Sequence, residues 1–127
     1  MMERNKEAII NIIQQAYIQG IHGNQDISLI QSGFHKDFTM LVLKNDRLEK
    51  VKVDQWLERI KEMKAKHPEI WNLKTQHTIE FIDYSGSAAV VKIKVFKGDL
   101  HFSSDYMLLY QFEKGWKIVS KIFAVPD

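Results

Sequence analysis

The sequence predicts an α+β domain in which N-terminal helices pack on a curved, mostly antiparallel sheet enclosing a cone-shaped pocket. Three observations carry this. Apolar residues recur at helical spacing over 6–22 and again over 54–66. After Pro68 the chain reads as four strands, 73–84, 87–97, 101–113 and 116–125. Short turns join them at Ser85-Gly86, Lys97-Gly98-Asp99 and Glu113-Lys114-Gly115, so the strands form an antiparallel meander.

Each earlier element has its own local cause. In the first helix Ile9, Ile13, Ala16 and Gly20 form a stripe with Ile10, Tyr17 and Ile21 beside it. His22-Gly23-Asn24 stops it, with Gly23 as the expected left-handed cap. Asp26 caps a short second helix carrying Ile27, Leu29 and Ile30, which Gly33 ends. Residues 34–43 and 48–53 read as a strand pair about the Lys44–Arg47 turn. Asp54 is the expected cap of a third helix whose buried stripe is Trp56, Leu57, Ile60 and Met63. That helix ends at Lys66-His67, because a residue before proline is pushed out of helical geometry.

The last hairpin predicts which side chains face the helices. A three-residue loop with Gly115 left-handed pairs Phe112 with Trp116, Tyr110 with Ile118, Leu108 with Ser120 and Tyr106 with Ile122. That face is expected inside. The opposite face pairs Leu109 with Val119, Met107 with Lys121 and Asp105 with Phe123. Half of it is apolar, so it is expected to be covered by a second subunit, making a homodimer.

Composition narrows the function classes. One hundred and twenty-seven residues, 45% of them hydrophobic and 27% charged, suit a single domain spanning 1–127. Net charge is +2 with dispersed lysines, which argues against a nucleic-acid partner. The absence of cysteine excludes disulfides, thiol catalysis and thiolate metal sites. The five histidines lack metal-ligand spacing, and no glycine-rich phosphate loop is present, so neither metal nor cofactor is expected. The first residues lack a signal-peptide run, and apolar runs such as Met40-Leu41-Val42-Leu43 are too short for a membrane. The expected location is cytoplasmic.

The element order resembles the nuclear transport factor two-like (SnoaL-like) superfamily, whose fold is also called cystatin-like. Particular stretches are similar to its putative lumazine-binding branch. They are Tyr17-Ile18-Gln19-Gly20, Phe34-His35-Lys36-Asp37, Val53-Asp54-Gln55-Trp56-Leu57 and Phe102-Ser103-Ser104-Asp105-Tyr106-Met107. The ending Trp116-Lys117-Ile118-Val119-Ser120-Lys121-Ile122-Phe123 is the most specific piece of a likeness that covers nearly the whole chain. Ketosteroid isomerase relatives in this superfamily combine a carboxylate base with an oxyanion hole of one tyrosine and one protonated acid, a pattern well known from that enzyme. The resemblance places that tyrosine on Tyr17, the base near Val42 and the second acid near Leu108. Both acids are then expected to be missing, which leaves that isomerisation without its first proton transfer.

The candidate residues follow. Tyr17 and His35 are the candidate proton carriers, although a core tyrosine and a locally bonded histidine are the simpler readings. Phe38, Met40 and Trp56 are expected to line the pocket with Tyr17. Tyr106, Leu108, Tyr110, Ser120 and Ile122 complete it in the register above. Asp105, Met107, Leu109, Val119, Lys121 and Phe123 are the expected dimer interface. The function expected from these residues is a small-molecule-binding or non-catalytic domain with a largely apolar pocket. A SnoaL-like isomerase, dehydratase or cyclase using His35 or Tyr17 is one alternative. A dimeric protein-interaction module is the other.

Overall fold

The computed structural model describes residues 2–126. Helix α1 (Met2–Ile12) runs into a π-helical segment (Ile13–Asn24) and is followed by α2 (Ile27–Gly33). Strands β1 (Phe34–Lys44) and β2 (Arg47–Val51) precede α3 (Val53–Lys66) and the single turn α4 (Pro68–Trp71). Strands β3 (Thr75–Ser85), β4 (Ala88–Lys97), β5 (Leu100–Phe112) and β6 (Gly115–Ala124) complete the chain. They form one six-stranded sheet in the order β2-β1-β6-β5-β4-β3. Every pairing is antiparallel except β1 with β6, which is parallel.

Local chemistry explains most boundaries. Asp26 accepts from the Ser28 and Leu29 N–H groups at 2.9 and 3.3 Å, capping α2 as expected. Asn45 and Asp46 both take positive φ, the geometry of a two-residue hairpin turn. Three boundaries differ from expectation. The left-handed residue after the π-helical segment is Gln25, with φ 56°, not Gly23. Helix α3 begins one residue before Asp54, and the Lys52 N–H donates to Gln55 Oε1 at 2.9 Å. Pro68 opens α4 rather than a strand, because its fixed φ suits a first helical position.

The core lies between the helices and the concave side of the sheet. Ile9, Ile13, Ala16, Tyr17 and Ile21 are fully buried, as the apolar stripe of the first helix requires. Strand β4 alternates strictly, with Ala89, Val91, Ile93, Val95 and Lys97 buried and the residues between them less so.

The β5–β6 hairpin reverses the expected faces. Its turn is two residues, pairing Phe112 with Gly115, and Leu108 pairs with Ser120 while Leu109 pairs with Ile118. Val119 is therefore the extra residue of a bulge, and a bulge moves every later side chain to the other face. Trp116 and Ile118 point inward before it; Lys121 points inward after it. On β5 the buried residues are Ser103, Asp105, Met107 and Leu109. The expected pocket residues Tyr106, Leu108, Tyr110 and Ile122 are exposed on the convex face, at 39%, 47%, 52% and 52%. Conversely Asp105, Met107, Leu109 and Lys121, expected at a subunit interface, belong to the interior of this chain.

Packing of α2 on the first helix is close. A Cβ added at Gly33 would lie 2.4 Å from the Ala16 Cβ and 3.1 Å from Ile12 Cγ2. Gly33→Ala is expected to cost roughly 1–3 kcal/mol, since the two helices must move apart to admit a methyl group. Thermal unfolding followed by circular dichroism reads this as a lowered midpoint. A midpoint equal to that of the parent would show that the contact is not tight.

Candidate functional site

The interior holds a chain of polar groups drawn from three elements. Lys121 Nζ on β6 donates to Tyr17 Oη at 3.0 Å. Tyr17, on the π-helical segment, donates in turn to Asp105 Oδ2 on β5 by a short hydrogen bond. Lys121 Nζ lies 3.9 Å from Asp105 Oδ1, and that oxygen has no hydrogen-bond partner. Phe34, Phe38 and Trp56 stack and edge against one another beside this chain, and Tyr17 meets Trp56 at 5.9 Å. The Lys121 ammonium sits 4.4 Å from the Trp56 ring centre and 4.8 Å from that of Tyr17.

Burial tunes each group. Tyr17 is held well above the usual phenol range, first by desolvation and then by the Asp105 charge, which opposes a phenolate. A neighbouring Ser103 hydroxyl pulls slightly the other way. Burial pushes Lys121 down to about 8, and Asp105 offsets only part of that shift.

A second polar cluster adjoins the first through His22. The Tyr17 and His22 rings meet edge to face at 4.8 Å. The π-helical turn makes this contact, because its i→i+5 hydrogen bonds bring residues five apart onto one face. In an α-helix the same two residues would be about 140° apart. Lys97 Nζ lies 3.1 Å from His22 Nδ1 and donates to Thr75 Oγ1 at 3.0 Å. Burial and then the nearby cations Lys97 and Lys121 hold His22 well below the usual imidazole range, so it is neutral. Burial, with a smaller contribution from Lys64, lowers Lys97 to about 8.

The sequence-predicted residues divide accordingly. Tyr17, Phe38, Met40 and Trp56 are brought together in the interior. His35 is on the other side of β1, stacked on Phe112 at 4.7 Å, with its Nδ1 accepting from the Asp37 N–H. Ser120 is half-buried and donates to the Thr39 carbonyl at 3.0 Å. Val119 occupies the bulge, and Phe123 is half-buried with its ring 4.9 Å from Lys121 Nζ. Asp105, three residues before Leu108, is a buried carboxylate, and it accepts from Tyr17 rather than donating. Asp105, Lys121, His22, Lys97 and Ser103 are the interior polar groups that sequence reasoning put elsewhere or passed over.

Among the described residues no group of three or more histidine or carboxylate side chains could hold a metal. No helix among them is long and apolar enough to cross a membrane.

The pH dependence of stability reports on these buried cations. An unfolded lysine keeps its proton to about 10.5, whereas folded Lys121 releases it near 8, so the unfolded chain binds more protons between those values. Stability contributed by Lys121 therefore rises from pH 8 toward 10, by up to roughly 3 kcal/mol. Lys97 acts in the same direction. Above pH 10 the trend reverses, because Tyr17 ionises more readily in the unfolded chain. Melting midpoints are expected to climb between pH 8 and 10, with a shallower climb in Lys121→Met. Equal slopes for the two proteins would assign the effect to other groups.

Known proteins resemble this chain as follows. The family described as "Putative lumazine-binding" matches residues 4–124. A nuclear transport factor two-like protein of unknown function from Silicibacter pomeroyi superposes with TM-score 0.78 at 13% identity, covering 99% of each chain. One from Shewanella baltica has TM-score 0.69 at 20% identity, covering 100% of this chain and 98% of its own. A domain with a cystatin-like fold from Nostoc punctiforme has TM-score 0.65 at 11% identity, over 98% and 78%. At such identities the likeness is one of fold. No curated protein matches the sequence.

Proposed function

The chain belongs to the putative lumazine-binding family, and from that premise we propose a small-molecule-binding domain whose ligand contacts the Tyr17–Asp105–Lys121 chain. The observation that carries this reading is a buried carboxylate oxygen, Asp105 Oδ1, left without a hydrogen-bond partner inside an aromatic shell. A buried acceptor in that condition costs about 1–3 kcal/mol, which a donor on a ligand would recover. The aromatic faces of Trp56, Phe34 and Phe38 suit a planar ring, and the polar chain supplies both donors and acceptors to its edge. Tyr17 and Asp105 are fully buried, and Trp56 and Lys121 are 6% and 4% exposed, so a ligand reaches this chain only when a covering side chain moves.

The proton-transfer reading is weaker. His35 is outside the interior, and Tyr17 is held in its protonated form. The resemblance puts the carboxylate base near Val42, an apolar residue.

Lumazine is the first probe, because it presents a planar heteroaromatic ring with both donors and acceptors. It is expected to raise the melting midpoint of the parent protein and to bind Asp105→Asn at least tenfold more weakly. If lumazine and a panel of planar heteroaromatics all leave the midpoint unchanged, the polar chain is structural. A Tyr17→Phe, Asp105→Leu, Lys121→Met variant that melts well below the parent would support the same conclusion.

The convex face supports a homodimer of different composition from the one expected. Tyr106, Leu108, Tyr110 and Ile122 expose apolar surface on adjacent strands, beside Glu80 paired with Lys92 and Lys94 at 3.3 and 3.2 Å. A sheet face of this kind is normally covered, and a second copy provides a matching one. Leu108→Asp is expected to convert a dimer to a monomer by light scattering, with melting changed by only a few degrees. A dimer mass retained in that variant would place the contact elsewhere.

A further inference from the structure

We propose that a ligand reaches the Tyr17–Asp105–Lys121 chain through the cleft between α2 and α3, and that a hydrogen bond from Lys64 to Gln25 latches that cleft shut. The cleft has a volume of about 400 Å³. Ile27 and Leu57 give it apolar lining, and Gln25, Glu58 and Lys64 border it with polar groups. Lys64 Nζ donates to Gln25 Oε1, which ties α3 to the residue that ends the π-helical segment. Both segments carry a side chain of the buried site close to the latch. Trp56 adjoins Leu57 on α3 and meets Tyr17 at 5.9 Å. His22 precedes Gln25 by three residues and meets Tyr17 edge to face at 4.8 Å. The cleft and the buried chain are thus walled by the same two segments, so parting them at Gln25 and Lys64 opens a way toward Tyr17.

Three features make this closure easy to release. Lys64 has no carboxylate partner among the described residues, although Asp54 and Glu58 line the same cleft. Its charge instead opposes that of buried Lys97, and the repulsion relaxes when Lys64 swings into solvent. The Gln25 amide also donates to the Ile21 and Gly23 carbonyls at 2.6 and 2.9 Å, so it keeps two partners when Lys64 lets go. Backbone geometry supplies the hinge. Gln25 has φ 56°, a left-handed conformation that costs a residue with a side chain. Two residues earlier Gly23 leaves helical geometry at φ −95° and ψ −113°, which the absence of a Cβ permits. Closures of this kind commonly set the rates at which ligands enter and leave a buried site.

This inference rests on the reading of the interior as a ligand site and adds the route by which a ligand reaches it. Lumazine is the probe, with stopped-flow tryptophan fluorescence as the readout. Lys64→Met removes the latch, and Glu58→Phe fills the cleft from an exposed position. Lys64→Met is expected to speed both association and release about fivefold, and Glu58→Phe to slow both about fivefold. Equilibrium affinity should stay within about twofold of the parent in each, because neither residue touches the bound ligand. Hydrogen exchange gives a measure that needs no ligand: the Gln25 amide, bonded to the Gly20 carbonyl at 2.9 Å, should exchange faster in Lys64→Met. Binding that persists with parental rates in both variants would overturn the route and leave the ligand site standing. Unchanged Gln25 exchange in Lys64→Met would overturn the latch. A parent that binds neither lumazine nor any planar heteroaromatic would remove the ligand reading and the route together.

Discussion

The hydrogen-bonded chain from Lys121 through Tyr17 to Asp105 ties together the three layers of contact that make this domain. It joins the π-helical segment to two neighbouring strands, at sequence separations of 88 and 104 residues. Burying one charge pair gains little net stability over an apolar filling of the same volume. Losing one partner, however, strands the others in a medium where none can be solvated. Register of β6 on β5 is thereby tied to the placement of the first helix, because a one-residue slip would remove Lys121 from the chain.

Two departures from regular geometry put these groups where they are. The bulge at Val119 lets β6 present Trp116 and Ile118 inward on one side and Lys121 inward on the other. The π-helical turn brings His22 onto the face of Tyr17, so the two polar clusters share an aromatic contact. Without the first, the interior of β6 would be Ser120 and Ile122, and no cation would meet Asp105. Without the second, His22 would face away from Lys97 and leave it bonded to Thr75 alone. Irregular elements of this sort are common near functional sites, where they re-aim a side chain at the cost of ideal pairing.

The two faces of the sheet then carry different chemistry. The concave face is apolar with a polar centre, while the convex face is largely apolar and carries an ion-paired group of Glu80, Lys92 and Lys94. Both would read as core in a sequence, since each strand of the hairpin alternates one hydrophobic set with another. Tyr106, Leu108 and Tyr110 are as apolar as Met107 and Leu109, so alternation alone does not tell the faces apart.

From the sequence alone came the order of helices and strands, the meander, the helix stripes and the Asp26 cap. These depend on near neighbours along the chain, where spacing and turn chemistry decide. Tyr17, Phe38, Met40 and Trp56 were legible as interior for the same reason. The sidedness of β5 and β6 was decided in three dimensions, because a single inserted residue inverts it and carries no composition signal. The same holds for His22 and Lys97, which are unremarkable at a helix end and a strand end. What makes them a pair is a contact across 75 residues of chain.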